Sequence, residues 1–227
     1  MSEPSPELPP DPEPPRDPLG SIGDALRSAE EALPHPITGL AEHGPHLAEP
    51  PHRRTFVARF DEAVDRAFDQ LRGRPVADRV FYAATELGDF GLIWVLVGAT
   101  QALRGDGELA KAGRLTATLA AESVLVNGVI KSLFKRERPV SQEPRPYKMR
   151  MPLTTSFPSG HSSTAVVAAI LLSEGSSAWP LYWGLAGVVA TSRIYVRIHH
   201  ASDVVGGLAT GLVIGTTARA LWRRLAR

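Results

Sequence analysis

The sequence predicts an all-α protein, an integral-membrane helical bundle of about five spanning helices preceded by an amphipathic helix. Three observations carry that expectation. Apolar stretches recur at about 81–103, 113–130, 162–174, 179–191 and 203–222. They are rich in Ala and Gly, and no strand-like segment, fixed repeat or glycine-rich phosphate loop interrupts them. The ionisable residues gather at the ends of these stretches rather than along them.

Residues 1–52 hold 13 of the 20 prolines and no aromatic residue. Such a segment buries too little apolar surface to offset its ordering entropy, so a disordered Pro-rich tail is expected. It would serve as a spacer or as a proline-rich arm for a partner. Its first residues show neither the basic start nor the apolar core of a cleavable signal peptide. Residues 53–78 are expected to form an amphipathic helix and linker. In TFVARFDEAVDRAFDQLR, residues 55–72, Phe56, Phe60, Val64, Ala67, Phe68 and Leu71 recur near helical spacing. That helix could pack on the body of the protein or lie in a membrane interface, and periodicity does not choose between them.

Residues 79–227 form the expected membrane-embedded domain. A bilayer core takes about 20 apolar residues per helix, a length that only the first and last stretches reach cleanly. The first carries Glu86 and Asp89, and the second carries Glu122. Charges at that depth are costly when they face lipid, so these should turn toward the bundle interior or an interface. In the last stretch Gly207, Gly211 and Gly215 recur every four residues, a small-residue face that lets helices approach closely. A soluble bundle uses similar seams.

The net charge of +1, with no basic patch interleaved with aromatics, argues against a nucleic-acid partner. The absence of cysteine excludes disulfides, thiolate metal sites and cysteine nucleophiles.

Three polar clusters remain: KSLFKRERP at 131–139, PSGH at 158–161 and SRIYVRIHHASD at 192–203. Lys131, Arg138 and Arg193 supply positive charge, and the two arginines carry the planar fork that matches phosphate oxygens. Ser159 and Gly160 stand at a helix start, where free N–H groups and the dipole favour an anion. His199 and Asp203, four residues apart, would share a helix face, so the carboxylate could fix the ring tautomer and free the other nitrogen. His161 lies beside the anion site, within reach of a departing oxygen. His200 has no carboxylate at that spacing and reads as a packing or surface histidine. Taken singly, each cluster has a plainer reading: a basic juxtamembrane loop, a capped turn, or structural histidines. Their joint order points to a pocket for a tetrahedral anion.

Lys131-x6-Arg138-Pro139, then Pro158-Ser159-Gly160-His161, then Ser192-Arg193-x5-His199-x3-Asp203 resembles the three-part signature of the type 2 phosphatidic acid phosphatase superfamily. That group includes membrane lipid-phosphate phosphatases, soluble acid phosphatases and vanadium haloperoxidases. All the motif positions match, across roughly residues 79–222. The resemblance implies that Lys131, Arg138, Ser159, Gly160 and Arg193 hold a phosphoryl group. It also implies His199 as nucleophile, Asp203 as its orienting partner and His161 as leaving-group acid, with a phosphohistidine intermediate and no metal or other cofactor. The expected substrate is a lipid or polyprenyl phosphate. A vanadate-dependent haloperoxidase and a catalytically inactive lipid-binding relative are the alternatives. Membrane members commonly have six spans, one more than is counted here.

With five spans all three clusters fall on one face, in a cell membrane. Sixteen basic residues lie on that side (Arg53–Arg79, Lys131–Arg150, Arg193 and Arg197) against seven on the other. That bias favours a cytoplasmic face for the site.

Overall fold

The structure, a computed structural model, describes residues 55–227 apart from Arg104, Gln142, Glu143 and Leu153. The expected Pro-rich tail lies outside the described residues. Every regular element among them is helical.

Helix α1, Phe56–Asp69, starts where the Thr55 hydroxyl accepts from the Ala58 amide at 3.2 Å, an ordinary side-chain cap. Its packing face is not the whole predicted apolar stripe. Val64 and Phe68 pack against Ala190, Ile194, Ala201 and Val204, and Asp61 is the buried residue of the helix. Phe56, Phe60, Ala67 and Leu71 are exposed. Asp61, Val64 and Phe68 share one stripe of the helix, and the partners of Asp61 described below set its rotation.

Helix α2, Pro75–Gly88, opens on a proline, whose missing N–H costs nothing in a first turn. Phe90 (φ 54°) and Gly91 (φ 68°) then take left-handed conformations. They break the first apolar stretch into α2, a 3₁₀ turn at Asp89–Gly91, and α3, Leu92–Ala102. Helix α4, Asp106–Ser123, runs into a π-helical turn at Val124–Ile130 and a 3₁₀ turn at Lys131–Leu133. After an irregular connection come α5, Gly160–Leu172, α6, Trp179–Tyr195, and α7, Ala201–Leu225. All five predicted apolar stretches are therefore helical. Among the described residues, two segments are long and apolar enough to cross a membrane, Pro75–Ala102 taken through its kink and Ala201–Leu225.

Helix α5 is the axis of the bundle. Every residue from Ala165 to Ile170 is buried, as expected of a short helix that is apolar all round. Trp94, Leu115, Leu119, Tyr182 and Val189 close around it from α3, α4 and α6. Helix α7 approaches closest of all. A Cβ on Gly207 would lie 2.3 Å from the Ser159 carbonyl oxygen, and one on Gly211 would lie 2.4 Å from that of Ser163. Gly215 meets Val167 and Ile170 in the same way. The four-residue glycine spacing is thus a contact surface, and it brings the start of α7 against the start of α5.

Gly211→Ala should lower the thermal midpoint in detergent, with an overpacking cost of about 1–3 kcal/mol. Gly184→Ala, at a glycine with nothing within 4 Å of the added carbon, should leave the midpoint unchanged or raise it slightly.

Candidate active site

The three polar clusters converge. Lys131, Arg138, Gly160, His161, Arg193 and His199 all line one cleft of about 590 Å³. Ser159 and Asp203 are fully buried just behind its wall.

Each side chain is delivered by an identifiable local device. The π-helical turn at the end of α4 shifts the helical phase before Lys131, and such turns recur at functional sites. The Lys131 ammonium, buried, donates to the Thr154 hydroxyl at 3.2 Å. Arg138 is held by the carbonyls of Thr154 at 3.0 Å, Thr155 at 3.1 Å and Ile198 at 2.8 Å. Ser159 caps α5: its hydroxyl accepts from the Ser162 amide at 3.4 Å and the Ser162 hydroxyl at 2.8 Å. The Ser159 amide donates to the Asp203 carbonyl at 3.0 Å, which ties the second cluster to the third. At Gly160 an added Cβ would meet Asn127 at 3.3 Å and the Lys131 ammonium at 3.8 Å.

Arg193 ends α6 and is 1 % exposed, with its guanidinium donating to the Thr85 hydroxyl of α2. Its Nε is buried without a partner. Arg197 then turns left-handed (φ 53°). The chain folds back so that the Ile198 and His199 amides both donate to the Arg193 carbonyl, at 3.2 and 3.1 Å. This turn, not a helix face, puts Arg193 and His199 on one cleft, and it corrects the expectation for His199. That residue precedes α7, whose N-cap is His200, and only Asp203 is helical. His200, expected to be a bystander, contributes its backbone: its amide donates to Asp203 Oδ2 at 2.8 Å.

His199 is 3 % exposed. Arg138 Nη1 lies 3.1 Å from its Nε2. A guanidinium can only donate, so Nε2 carries the lone pair and the proton sits on Nδ1. Nδ1 has no hydrogen-bond partner, and its nearest acceptor is Asp203 Oδ2 at 3.6 Å. Burial first, then the charges of Arg193 and Arg138, hold the His199 ring well below its usual range, down to about 3, against the opposing pull of Asp203. At neutral pH the imidazole is uncharged and its Nε2 is an available nucleophile.

On the opposite wall, His161 Nε2 sits 3.0 Å from Asp89 and 3.2 Å from the Thr85 carbonyl. Asp89 was legible only as an acid in an apolar stretch. The helix break beside it turns it onto the imidazole. Glu122 also turns inward, accepting from the Thr164 hydroxyl at 2.9 Å, whereas Glu86 is exposed. Arg150 lines the cleft with its guanidinium 4.7 Å from the Phe90 ring. Arg145 instead turns away to the carbonyls of Val196 and Arg197. Asn127, Thr154 and Asp89 are cleft residues that no motif flagged, although Asn127 sits four residues before Lys131 and so shares its side of the helix. The cleft is also lined by apolar side chains, Val95, Leu119, Ala120 and Val124 among them, interspersed with the hydroxyls of Thr116, Ser123 and Thr164.

Both the sequence and the fold have known relatives. Residues 111–227 match the model of the PAP2 superfamily. The chain is 33% identical over 124 residues to the decaprenylphosphoryl-5-phosphoribose phosphatase of Mycobacterium tuberculosis, covering 55% of this chain and 67% of that protein. Its fold is similar to the transmembrane PAP2 type phosphatidylglycerolphosphate phosphatase of Bacillus subtilis, with a TM-score of 0.54 and 26% identity over 76% of this chain and 89% of that one. LpxE of Aquifex aeolicus is similar with a TM-score of 0.57 and 25% identity, over 70% of this chain and 94% of that one.

Burial, then the charges of Arg138 and Arg193, lower the Lys131 ammonium to about 8. It is charged below that value and neutral above it. Affinity for tungstate, whose own charge is constant in this range, should therefore fall as pH rises from 7 to 9 in calorimetric titrations. Lys131→Arg should flatten that dependence.

Proposed function

The chain belongs to the PAP2 superfamily, and from that premise we propose that it is a membrane phosphatase acting on the phosphomonoester or diphosphate of a lipid or polyprenyl carrier. The observation that carries this reading is a neutral His199 Nε2 facing a cleft that also presents Lys131, Arg138 and Arg193. Val95, Leu119, Ala120 and Val124 in the same cleft offer apolar surface that an acyl or prenyl chain could cover.

In the proposed reaction the phosphoryl group sits among the three cations and the α5 N-terminus. His199 Nε2 attacks phosphorus, and the bond from phosphorus to the carrier oxygen breaks. The cations offset the charge spread over the equatorial oxygens. The oxygen leaves with a proton from His161. Because the Asp89 carboxylate and the Thr85 carbonyl accept from His161 Nε2, the proton is given from Nδ1, which carries one only while His161 enters the step as the imidazolium paired with Asp89. Water then attacks the phosphohistidine, His161 takes one of its protons, and inorganic phosphate departs with His199 neutral again. The Asp203 carboxylate faces the Nδ1–H throughout and stabilises the positive charge that develops on the ring.

The assay is phosphate release from phosphatidic acid, phosphatidylglycerol phosphate, polyprenyl diphosphate and a polyprenyl-linked sugar phosphate, presented in detergent. At least one should turn over, and His199→Ala should abolish it without unfolding the protein. Rapid quenching of the wild type should trap an acid-labile, base-stable phosphoenzyme. More than a few per cent of wild-type activity in His199→Ala would rule out this nucleophile.

The proposed setting is the plasma membrane with the site on its cytoplasmic side, supported by the basic-residue bias. With five crossings, a topology reporter fused after Arg227 should then be active on the far side of that membrane. Activity on the cytoplasmic side would reverse the assignment.

A further inference from the structure

The carboxylate facing His199 is itself held from behind by residues that the three-part signature leaves unspecified. Arg136 Nη1 donates to Asp203 Oδ1 at 2.5 Å, and Arg136 Nη2 donates to Asp61 Oδ2 at 2.7 Å. Asp61 belongs to α1, at the other end of the described chain. It also accepts from the Ser202 amide at 2.7 Å and the Ser202 hydroxyl at 2.9 Å. The two carboxylates are buried, Asp203 completely and Asp61 at 7 % exposure. One guanidinium thus bridges two acids, each of which is tied separately to the first turn of α7.

The geometry leaves Asp203 little freedom. Its Oδ1 is committed to Arg136 and its Oδ2 to the His200 amide, so its plane is fixed before His199 is considered. His199 Nδ1, buried and otherwise unpartnered, has only this carboxylate to orient it. Without Arg136, Oδ1 would be a buried carboxylate oxygen without its cation, a state that a side chain escapes by rotating. Rotation of Asp203 would take Oδ2 from the imidazole.

We propose that Asp61 and Arg136 are positioning residues: Asp61 braces Arg136, Arg136 sets the carboxylate plane of Asp203, and Asp203 thereby aims the His199 ring into the cleft. The amphipathic helix α1 is then part of the catalytic support and not only a surface helix. Arg136 and Asp61 do not line the cleft, so their loss is expected to act on the rate of the chemical step and to leave substrate binding alone. This inference rests on the phosphatase reading with His199 as nucleophile.

The test compares Arg136→Gln, Arg136→Lys, Asp61→Asn and the Asp61→Asn/Arg136→Gln double variant with wild type and His199→Ala, on whichever lipid phosphate turns over. Arg136→Gln should lower kcat about 10- to 100-fold with KM changed less than about twofold, the scale expected when a reacting group loses its supporting partner. Arg136→Lys, which keeps a cation but loses the fork, should fall between that variant and wild type. Asp61→Asn, nearly isosteric and leaving the Arg136–Asp203 pair in place, should lower kcat about three- to tenfold. The double variant should be no worse than Arg136→Gln alone, because both act through one chain of contacts. Should Arg136→Gln fail to fold, Asp61→Asn and Arg136→Lys carry the comparison. A kcat within twofold of wild type in the folded variants, losses confined to KM, or losses that multiply in the double variant would overturn the proposal. If His199→Ala is inactive while these variants are unimpaired, only the positioning role fails. If His199→Ala matches wild type, the phosphatase mechanism itself fails.

Discussion

Lys131, Arg138 and Arg193 are each buried to a large degree at one cleft, where burial and then mutual repulsion disfavour their charges, and the rest of the structure is arranged to tolerate that. The depression of Lys131 from 10.5 to about 8 corresponds to a bias against its charged form on the order of 3 kcal/mol. Two features contain the cost. Each cation is committed to hydroxyl or carbonyl oxygens, Lys131 to Thr154, Arg138 to three carbonyls and Arg193 to Thr85. None can therefore swing away to solvent. The carboxylate facing His199, Asp203, shares its charge with Arg136, so it offsets the cations of the cleft only in part. A doubly charged tetrahedral anion relieves all three repulsions at once. The pocket is preorganised for such a guest because the fold has already met the cost of assembling it.

That cost is met by packing on α5. The glycines at 207, 211 and 215 let α7 lie backbone to backbone on α5, and the resulting approach allows the Ser159 amide to reach the Asp203 carbonyl. The same helix contact that supplies stability therefore sets the distance between the anion-binding turn and the nucleophile. On the other side, the break at Phe90–Gly91 turns Asp89 onto His161. Gly88 lies against the same ring, with no room for a Cβ 2.7 Å from its Cδ2. Kink, small residue and acid form one device for seating the second histidine.

Much of this was legible in the sequence, for reasons that can be named. The five apolar stretches are helical because their composition leaves no alternative for a backbone among apolar neighbours. The residues of the three clusters meet because a helical hairpin returns alternate ends to one place. What could not be read were features that depend on rotation and on turns. Phe56, Phe60, Val64, Ala67, Phe68 and Leu71 fit one broad stripe, but burial of Asp61 rotates α1 so that only part of it packs. His199 and Asp203 have helical spacing, yet a left-handed Arg197 sets their geometry, and no pattern of types announces a positive φ at an arginine. Arg136 lay inside KSLFKRERP and Asp61 inside the α1 pattern. Nothing in one sequence links two residues 75 positions apart.

The amphipathic helix poses a question that its periodicity left open, whether it packs on the body or lies in an interface. The structure does not force a choice, because the helix is two-sided in an unusual way. Asp61, Val64 and Phe68 face the bundle, while Phe56, Val57 and Phe60 stay exposed beside Arg59. An isolated surface helix would not spend its one buried position on an acid, since an unpaired buried carboxylate is strongly unfavourable. Asp61 is acceptable only because Arg136 and Ser202 are waiting for it, so docking on α7 and formation of the support behind Asp203 are the same event. The exposed aromatic edge is then free to meet a bilayer surface without withdrawing any residue from that support.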